Sequence, residues 1–163
     1  MNYNDAISSA IDGHCLLFLG AGFSIGARNI EGKSILSSQD LAVELCKRVN
    51  VDITTDLKDA SDDYIEIKND IDCVVEELSV LLKASEIDSF HKSIASLDWK
   101  YVYTTNYDNV YELACLKINK NYKYATLSTD IHSISAKSHV VLHLNGMIEF
   151  LNKDNIMSEF KLT

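Results

Sequence analysis

The sequence has no long hydrophobic run, no C-x-x-C pair of cysteines and no basic segment at its start. Without an apolar stretch of about 20 residues, we expect no membrane-spanning helix. Without a basic start followed by an apolar run, we expect no signal peptide. The four cysteines lie at least 27 residues apart, which favours buried free thiols in a reducing compartment over disulfides or a metal site. These absences predict a cytoplasmic protein.

Positive charge is also scarce, because 15 lysines and arginines stand against 24 acidic residues and give a formal net charge of −9. A protein that binds the phosphate backbone of nucleic acids needs a basic surface. We therefore expect no direct nucleic-acid partner. An anionic ligand would have to be held by backbone N–H groups and helix ends, because the overall field repels it.

The chain of 163 residues fits a single globular domain in which apolar runs of strand length alternate with segments of helical periodicity. This alternation predicts an α/β fold with a mostly parallel sheet flanked by helices. The strand at residues 15–19 is uniformly apolar, so we expect it to be buried on both faces. Residues 26–36 are predicted to be a loop. The predicted strands are residues 15–19, 99–104, 122–127 and 139–144. Five helices are predicted to begin at Asn4 or Asp5, at Ser37, at Asp70 or Asp72, near Ile87, and at Asp108. Ser37 and Asp40 together match a capping box.

Two patterns suggest binding sites that their context disfavours. Residues 52–72 contain eight acids against two lysines, which indicates a solvated helical face or loop rather than a metal site. Gly26 followed by Gly32-Lys33-Ser34 nearly matches the P-loop of nucleoside triphosphatases. The spacing is one residue too long, and the preceding strand ends at Gly20 instead of Gly26.

Three of the predicted strands end in glycine-rich or polar segments, at residues 20–24, 104–108 and 143–146. In open α/β sheets, ligands bind beyond the carboxyl ends of the strands, so we expect these segments to form one site. Gly20-Ala21-Gly22 follows a strand, where glycines permit a tight turn and let backbone N–H groups approach a diphosphate. The alternative is a tight turn with a purely structural role.

Polar side chains at the other two strand ends complete the candidate site. Asn106 can donate and accept hydrogen bonds, which suits a residue that holds a ribose hydroxyl or a water. Asp108 either belongs to this site or only caps the following helix. His143 and Asn145 stand two residues apart, which places both side chains on one face of their strand. A single histidine at a strand end can equally be a structural group.

Three motifs carry a family resemblance: residues 17–24 (LFLGAGFS), 97–108 (LDWKYVYTTNYD) and 141–146 (VLHLNG). Together they resemble the sirtuin-like domain of prokaryotic antiphage defence proteins that consume NAD. The segment TTNYD, residues 104–108, is the most specific part. The resemblance covers roughly residues 5–150, and it implies that the chain, 1–163, is the front portion of a sirtuin-like NAD-binding domain.

The resemblance implies a Rossmann-like fold and an NAD+ glycohydrolase (NADase) that cleaves NAD to nicotinamide and ADP-ribose, in antiviral defence by NAD depletion. NAD is then the substrate, and no metal is needed, because positioned polar groups suffice to stabilise the oxocarbenium-like ribose. A homo-oligomer or a partner sensor domain is expected. The implied catalytic residues are Asn106, His143 and Asn145, and the implied NAD-binding residues are Gly20, Ala21, Gly22, Ser24, Thr105 and Asp108.

The sequence departs from this family at two points. The family's catalytic histidine stands where this chain has Asn145, which cannot act as a general base; either Asn145 alters the activity or His143 compensates. The family fold also continues with further strands, so we expect a sheet that is incomplete at its C-terminal end. The protein deacetylases of the wider family carry a zinc ribbon of paired C-x-x-C motifs, and this chain has no such pair. NAD hydrolysis is therefore favoured over deacylation. The alternative function is a catalytically impaired module that binds NAD or ADP-ribose and regulates or contacts a partner.

Overall fold

The computed structural model describes residues 2–130 and 140–158, with helices and strands alternating along much of the chain. Short 3-10 helices occupy Ala21–Ser24 and Ile148–Phe150. The α-helices are α1 (Tyr3–Ile11), α2 (Ser38–Val49), α3 (Leu57–Lys68), α4 (Ile71–Leu82), α5 (Ser89–Ser96) and α6 (Val110–Lys117). The strands are β1 (Leu16–Leu19), β2 (Arg28–Asn29), β3 (Ala84–Glu86), β4 (Tyr101–Thr104), β5 (Lys123–Thr126) and β6 (Val140–His143).

Four of the strands form a parallel sheet in the order β1-β4-β6-β5. Leu19 at the end of β1 pairs with Thr104 at the end of β4, and Thr104 pairs with His143 at the end of β6. The carboxyl ends of these three strands therefore lie side by side. The predicted α/β class, with a parallel sheet flanked by helices, is confirmed and is consistent with a Rossmann-like fold.

The prediction that the first strand is buried on both faces is wrong. Leu16 and Phe18 are 60% and 65% exposed, whereas Leu19 is buried. The reason is topological: β1 lies at the edge of the sheet, and only the face with Leu17 and Leu19 packs into the core with Val102 of β4 and Val141 of β6.

A second core forms where α2, α3 and α4 pack together, outside the sheet. Leu41 and Leu45 of α2, Tyr64 of α3, and Leu78 of α4 are almost fully buried in it. Ile148, in the 3-10 helix that follows β6, belongs to the same core. After β6 the chain thus runs back to the layer formed by α2, α3 and α4, which we call the helical layer. This connection brings the helical layer next to the carboxyl ends of the strands.

A cluster of hydrogen-bonded polar side chains, which we call the Glu77 cluster, joins α2, α3 and α4. Glu77 accepts from Lys68 Nζ at 2.6 Å, from Arg48 Nη1 at 3.0 Å, from Cys73 Sγ at 3.4 Å and from the Tyr64 hydroxyl. Burial alone would raise the pKa of Glu77, but these hydrogen bonds outweigh it and lower the pKa to about 2. Glu77 is therefore ionised over the whole ordinary pH range.

The predicted capping residues are partly confirmed. Ser37 caps α2 and Asp70 caps α4, as expected. The first helix, however, is capped by Asn2 and not by Asn4 or Asp5. Asp5 completes the capping box, because its carboxylate accepts a hydrogen bond from the backbone N–H of Asn2.

The structure also corrects the reading of the surface segments. The predicted loop at 26–36 contains β2, which pairs antiparallel with β3. The eight acids of residues 52–72 are exposed, and several lie on α3, so a solvated helical face is confirmed.

Two cysteines are buried and two are half-buried, and all four are free thiols. Within residues 2–130 and 140–158, no helix has the length and apolar character needed to cross a lipid bilayer. His139, the predicted start of the last strand, lies outside the described residues.

Candidate active site at the strand ends

The three strand ends open into a cavity of about 160 Å³. Thr105, Asn106 and Asp108 follow β4, and Asn145 follows β6; together with Ser24 they form a polar wall. An apolar wall comes from the helical layer, with Leu36 before α2 and Leu82 at the end of α4; Ala21, Ser38 and Tyr107 complete the lining. Each of the three strand-end segments predicted to lie together contributes residues to the lining of this cavity.

Asn106, Ser24 and Asp108 form a continuous hydrogen-bonded network in the polar wall. Asn106 Nδ2 donates to Ser24 Oγ at 2.9 Å and to the carbonyl of Gly20 at 3.0 Å. Ser24 Oγ donates in turn to Asp108 Oδ2 at 2.6 Å. All three side chains are less than a tenth exposed. The network therefore ties the ends of β1 and β4 together and fixes these side chains before any ligand arrives.

Asp108 is a buried carboxyl group with few donors. Burial raises its pKa to about 6, although the hydrogen bonds from Ser24 and from the backbone N–H of Val110 act in the opposite direction. The structure places the N-cap of α6 at Asn109, yet Asp108 Oδ1 accepts from Val110 N at 3.0 Å. Asp108 thus serves both as a cap and as part of the cavity wall.

His143 lies behind the cavity instead of in its wall. Its Nδ1 lies 3.1 Å from the carbonyl oxygen of Asn106, and its Nε2 lies 2.9 Å from Glu112 Oε1 on α6. Because a carbonyl oxygen can only accept, Nδ1 carries a proton. Burial disfavours an imidazolium here, but the hydrogen bond and charge of Glu112 outweigh it and raise the pKa of His143 above its ordinary value.

The prediction that His143 and Asn145 share one face of a strand is wrong. β6 ends at His143, so Asn145 lies beyond the strand, where the two-residue alternation no longer holds. His143 is 1% exposed and faces the core, whereas Asn145 lines the cavity and donates from Nδ2 to the carbonyl of Thr105 at 3.1 Å. The two residues therefore meet different surroundings.

The glycine-rich segment after β1 reaches the cavity only in part, because Gly20 and Gly22 are not among the lining residues. Gly20 has an extended backbone and is followed by the 3-10 helix of Ala21–Ser24, of which Ala21 and Ser24 line the cavity. A Cβ atom at Gly20 would make only an ordinary contact with Thr105, and one at Gly22 would meet nothing within 4 Å. Packing within the chain therefore does not require glycine at either position.

Glu112 was not anticipated from the sequence. It is 2% exposed and lies in the first turn of α6, where Val110 and Tyr111 are also buried. No local signal in the sequence marks it, because its burial depends on how α6 packs against His143 of β6. The lining residues Leu36 and Leu82 were also missed, because only the tertiary fold brings the helical layer to the strand ends.

No family model and no curated protein sequence matches this chain. Among the described residues, no group of three or more histidine, cysteine and acidic side chains is arranged to hold a metal ion.

Proposed function

We propose that the protein is an NAD+ glycohydrolase that cleaves NAD to nicotinamide and ADP-ribose. The observation that carries the proposal is the buried network of Asn106, Ser24 and Asp108, which faces a cavity at the carboxyl ends of parallel strands. Ligands of open α/β sheets bind at such an edge. The residues of this network belong to the motifs that resemble those of the sirtuin-like NAD-consuming domains.

The cavity suits one end of a dinucleotide. Ligand pockets for drug-sized molecules measure about 300–1,000 Å³, so a cavity of about 160 Å³ accommodates only part of NAD. We assign this part to the nicotinamide and its ribose, between the polar wall and the apolar side chains of Leu36 and Leu82. The diphosphate would then lie outside, along the backbone of residues 20–22, where Gly20 and Gly22 carry no side chain.

The polar wall would lower the barrier for cleavage of the bond between ribose and nicotinamide. That reaction builds positive charge on the ribose while nicotinamide departs. Asn106 and Asn145 are held by hydrogen bonds to backbone carbonyls and need no reorganisation to orient ribose hydroxyls or the attacking water. We assign His143 a positioning role, because it contacts the backbone of Asn106 and not the cavity.

The resemblance extends the proposal to the biological setting. In this reading, the protein acts in the cytoplasm as the effector of an antiviral defence system and depletes NAD, and it works as a homo-oligomer or with a partner sensor domain. An assembly would also cover the exposed side chains Leu16 and Phe18 of β1.

The test is the release of nicotinamide from NAD, followed by chromatography at high protein concentration. The wild type should release nicotinamide, and Asn106→Ala should abolish the release. Asn109→Ala is the matched control, because Asn109 is equally buried in the same segment but bonds to Ala84 N and Glu149 and does not line the cavity. This control should lower thermal stability and leave release proportional to the folded fraction. A folded wild type that releases no nicotinamide would refute the proposal.

A second candidate function is a catalytically impaired module that binds NAD or ADP-ribose and regulates a partner. Asn145 favours it, because an amide at this place in the cavity cannot accept a proton. In that case calorimetry should detect NAD or ADP-ribose binding that Asn106→Ala weakens, while no nicotinamide is released. Substitution Asn145→His should then create hydrolysis where the wild type has none.

A further inference from the structure

The cavity contains few groups that can exchange a proton. Among the described residues that line it, only Tyr107 and Asp108 carry ionisable side chains. Burial raises the pKa of Tyr107 above its ordinary value, so the phenol stays protonated at neutral pH. His143 has both ring nitrogens engaged behind the cavity wall, and Asn145 cannot accept a proton.

From this geometry we propose that Asp108 is the general base that takes the proton of the attacking water. The inference rests on the proposed NAD hydrolysis and assigns the base within that site. Asp108 lines the cavity, and its two hydrogen bonds, from Ser24 Oγ and Val110 N, use two of the about four acceptor positions of a carboxylate. Acceptor positions therefore remain for a water.

The step balances without a co-reactant. The water oxygen forms a bond to C1′ of the ribose, and the bond from C1′ to the ring nitrogen of nicotinamide breaks. The electron pair of that bond stays on the nicotinamide nitrogen, which loses its positive charge. One proton of the water passes to the Asp108 carboxylate and then to solvent, which leaves ADP-ribose, nicotinamide and one proton.

The surroundings of Asp108 suit a base that works near neutral pH. Two charged groups face it: Glu112 on α6 raises its pKa, and His143 on β6 lowers it. These two bind each other, so their fields largely offset at Asp108. Ser24 fixes the carboxylate through a hydrogen bond of 2.6 Å. General bases are most effective when their pKa lies near the working pH.

The experiment measures kcat and KM for nicotinamide release between pH 4.5 and 8.5. For the wild type, kcat should fall tenfold per pH unit below about pH 6, because the base must be ionised. Asp108→Asn should lower kcat by about 100-fold or more and remove this pH dependence, while NAD binding measured by calorimetry stays within about threefold. Thermal unfolding of each variant shows that the protein is folded.

Two further variants separate a base from a residue that only binds substrate. Ser24→Ala should move the low-pH fall of kcat (the acidic limb of the pH profile) to higher pH, because the Ser24 hydrogen bond lowers the pKa of Asp108. Asn145→Ala is the control within the cavity wall and should change kcat without moving the limb. If Asp108→Asn raises KM but keeps the acidic limb, the base assignment is wrong and NAD hydrolysis stands. If the folded wild type releases no nicotinamide at any pH, the proposed function fails, and the base assignment fails with it.

Discussion

Asp108 at the strand ends accepts two hydrogen bonds and Glu77 in the helical layer accepts four, and their pKa values shift in opposite directions. Glu77 is bound by the cations Arg48 and Lys68, and its pKa falls to about 2 despite partial burial. Among the described residues, Asp108 accepts hydrogen bonds from the neutral donors Ser24 Oγ and Val110 N, and burial raises its pKa to about 6. The cationic donors of Glu77 and the deeper burial of Asp108 together account for the opposite directions.

The difference separates a structural carboxylate from one that is suited to chemistry. Glu77 favours the folded state when ionised, because two cations on neighbouring helices compensate its charge. Asp108 is ionised at neutral pH at the expense of the folded state, because burial is not compensated by a direct cationic partner. Groups that are held in such an unfavourable state cluster at functional sites.

The largest expected effect on stability is that of Asp108→Asn. The folded state holds the Asp108 proton up to about pH 6, whereas the unfolded chain releases it near pH 3.8, so wild-type stability falls as pH rises through this window. The variant cannot ionise and should gain up to about 3 kcal/mol relative to the wild type between pH 4 and pH 7. Denaturant unfolding at both pH values measures the difference. An equal difference at both pH values would contradict the assigned pKa shift.

The strands of the sheet were largely predictable, because each is marked by a local apolar or β-branched run. Helix starts were partly predictable, because a capping residue acts on its own first turn. Ser37 and Asp70 cap as their sequence spacing indicates. The exposure of Leu16 and Phe18 was not predictable, since a strand's place at the edge or centre of a sheet depends on partners distant in sequence. The pairing of β2 with β3 was missed for the same reason.

The candidate site was predictable only where a motif and a strand end coincide. Asn106, Asp108 and Ser24 were placed together by the rule for the ends of parallel strands, and they bind one another. The different surroundings of His143 and Asn145 depend on where β6 ends, which the local sequence does not specify. The role of Glu112 required knowing which side of α6 faces β6.

The next expected effect belongs to Glu77→Gln, the counterpart of the Asp108 substitution. This change removes the charge that Arg48, Lys68 and Tyr64 bind, and it should destabilise the protein at pH 7 by about 1–2 kcal/mol, a value that partial exposure keeps modest. Wild-type stability from this group is present above about pH 4.5 and is lost as pH falls towards 2. Denaturant unfolding should therefore show a difference at pH 7 that narrows at pH 3. Nicotinamide release per folded molecule should not change.

The smallest expected effect is that of Lys68→Met, which removes one of the two cations that bind Glu77. Because Arg48 remains and Lys68 is partly exposed, the loss of stability at pH 7 should be smaller than that of Glu77→Gln. The pKa of Glu77 should rise, since the hydrogen bond from Lys68 is the main influence that lowers it. The acid-induced loss of stability should then begin at a higher pH than in the wild type. Unfolding curves at low and high salt check the electrostatic origin, because salt should narrow the gap between variant and wild type. A gap that is independent of both salt and pH would mean that the methylene groups of Lys68 stabilise the cluster by packing, and that neutral donors together with Arg48 suffice to hold Glu77 ionised.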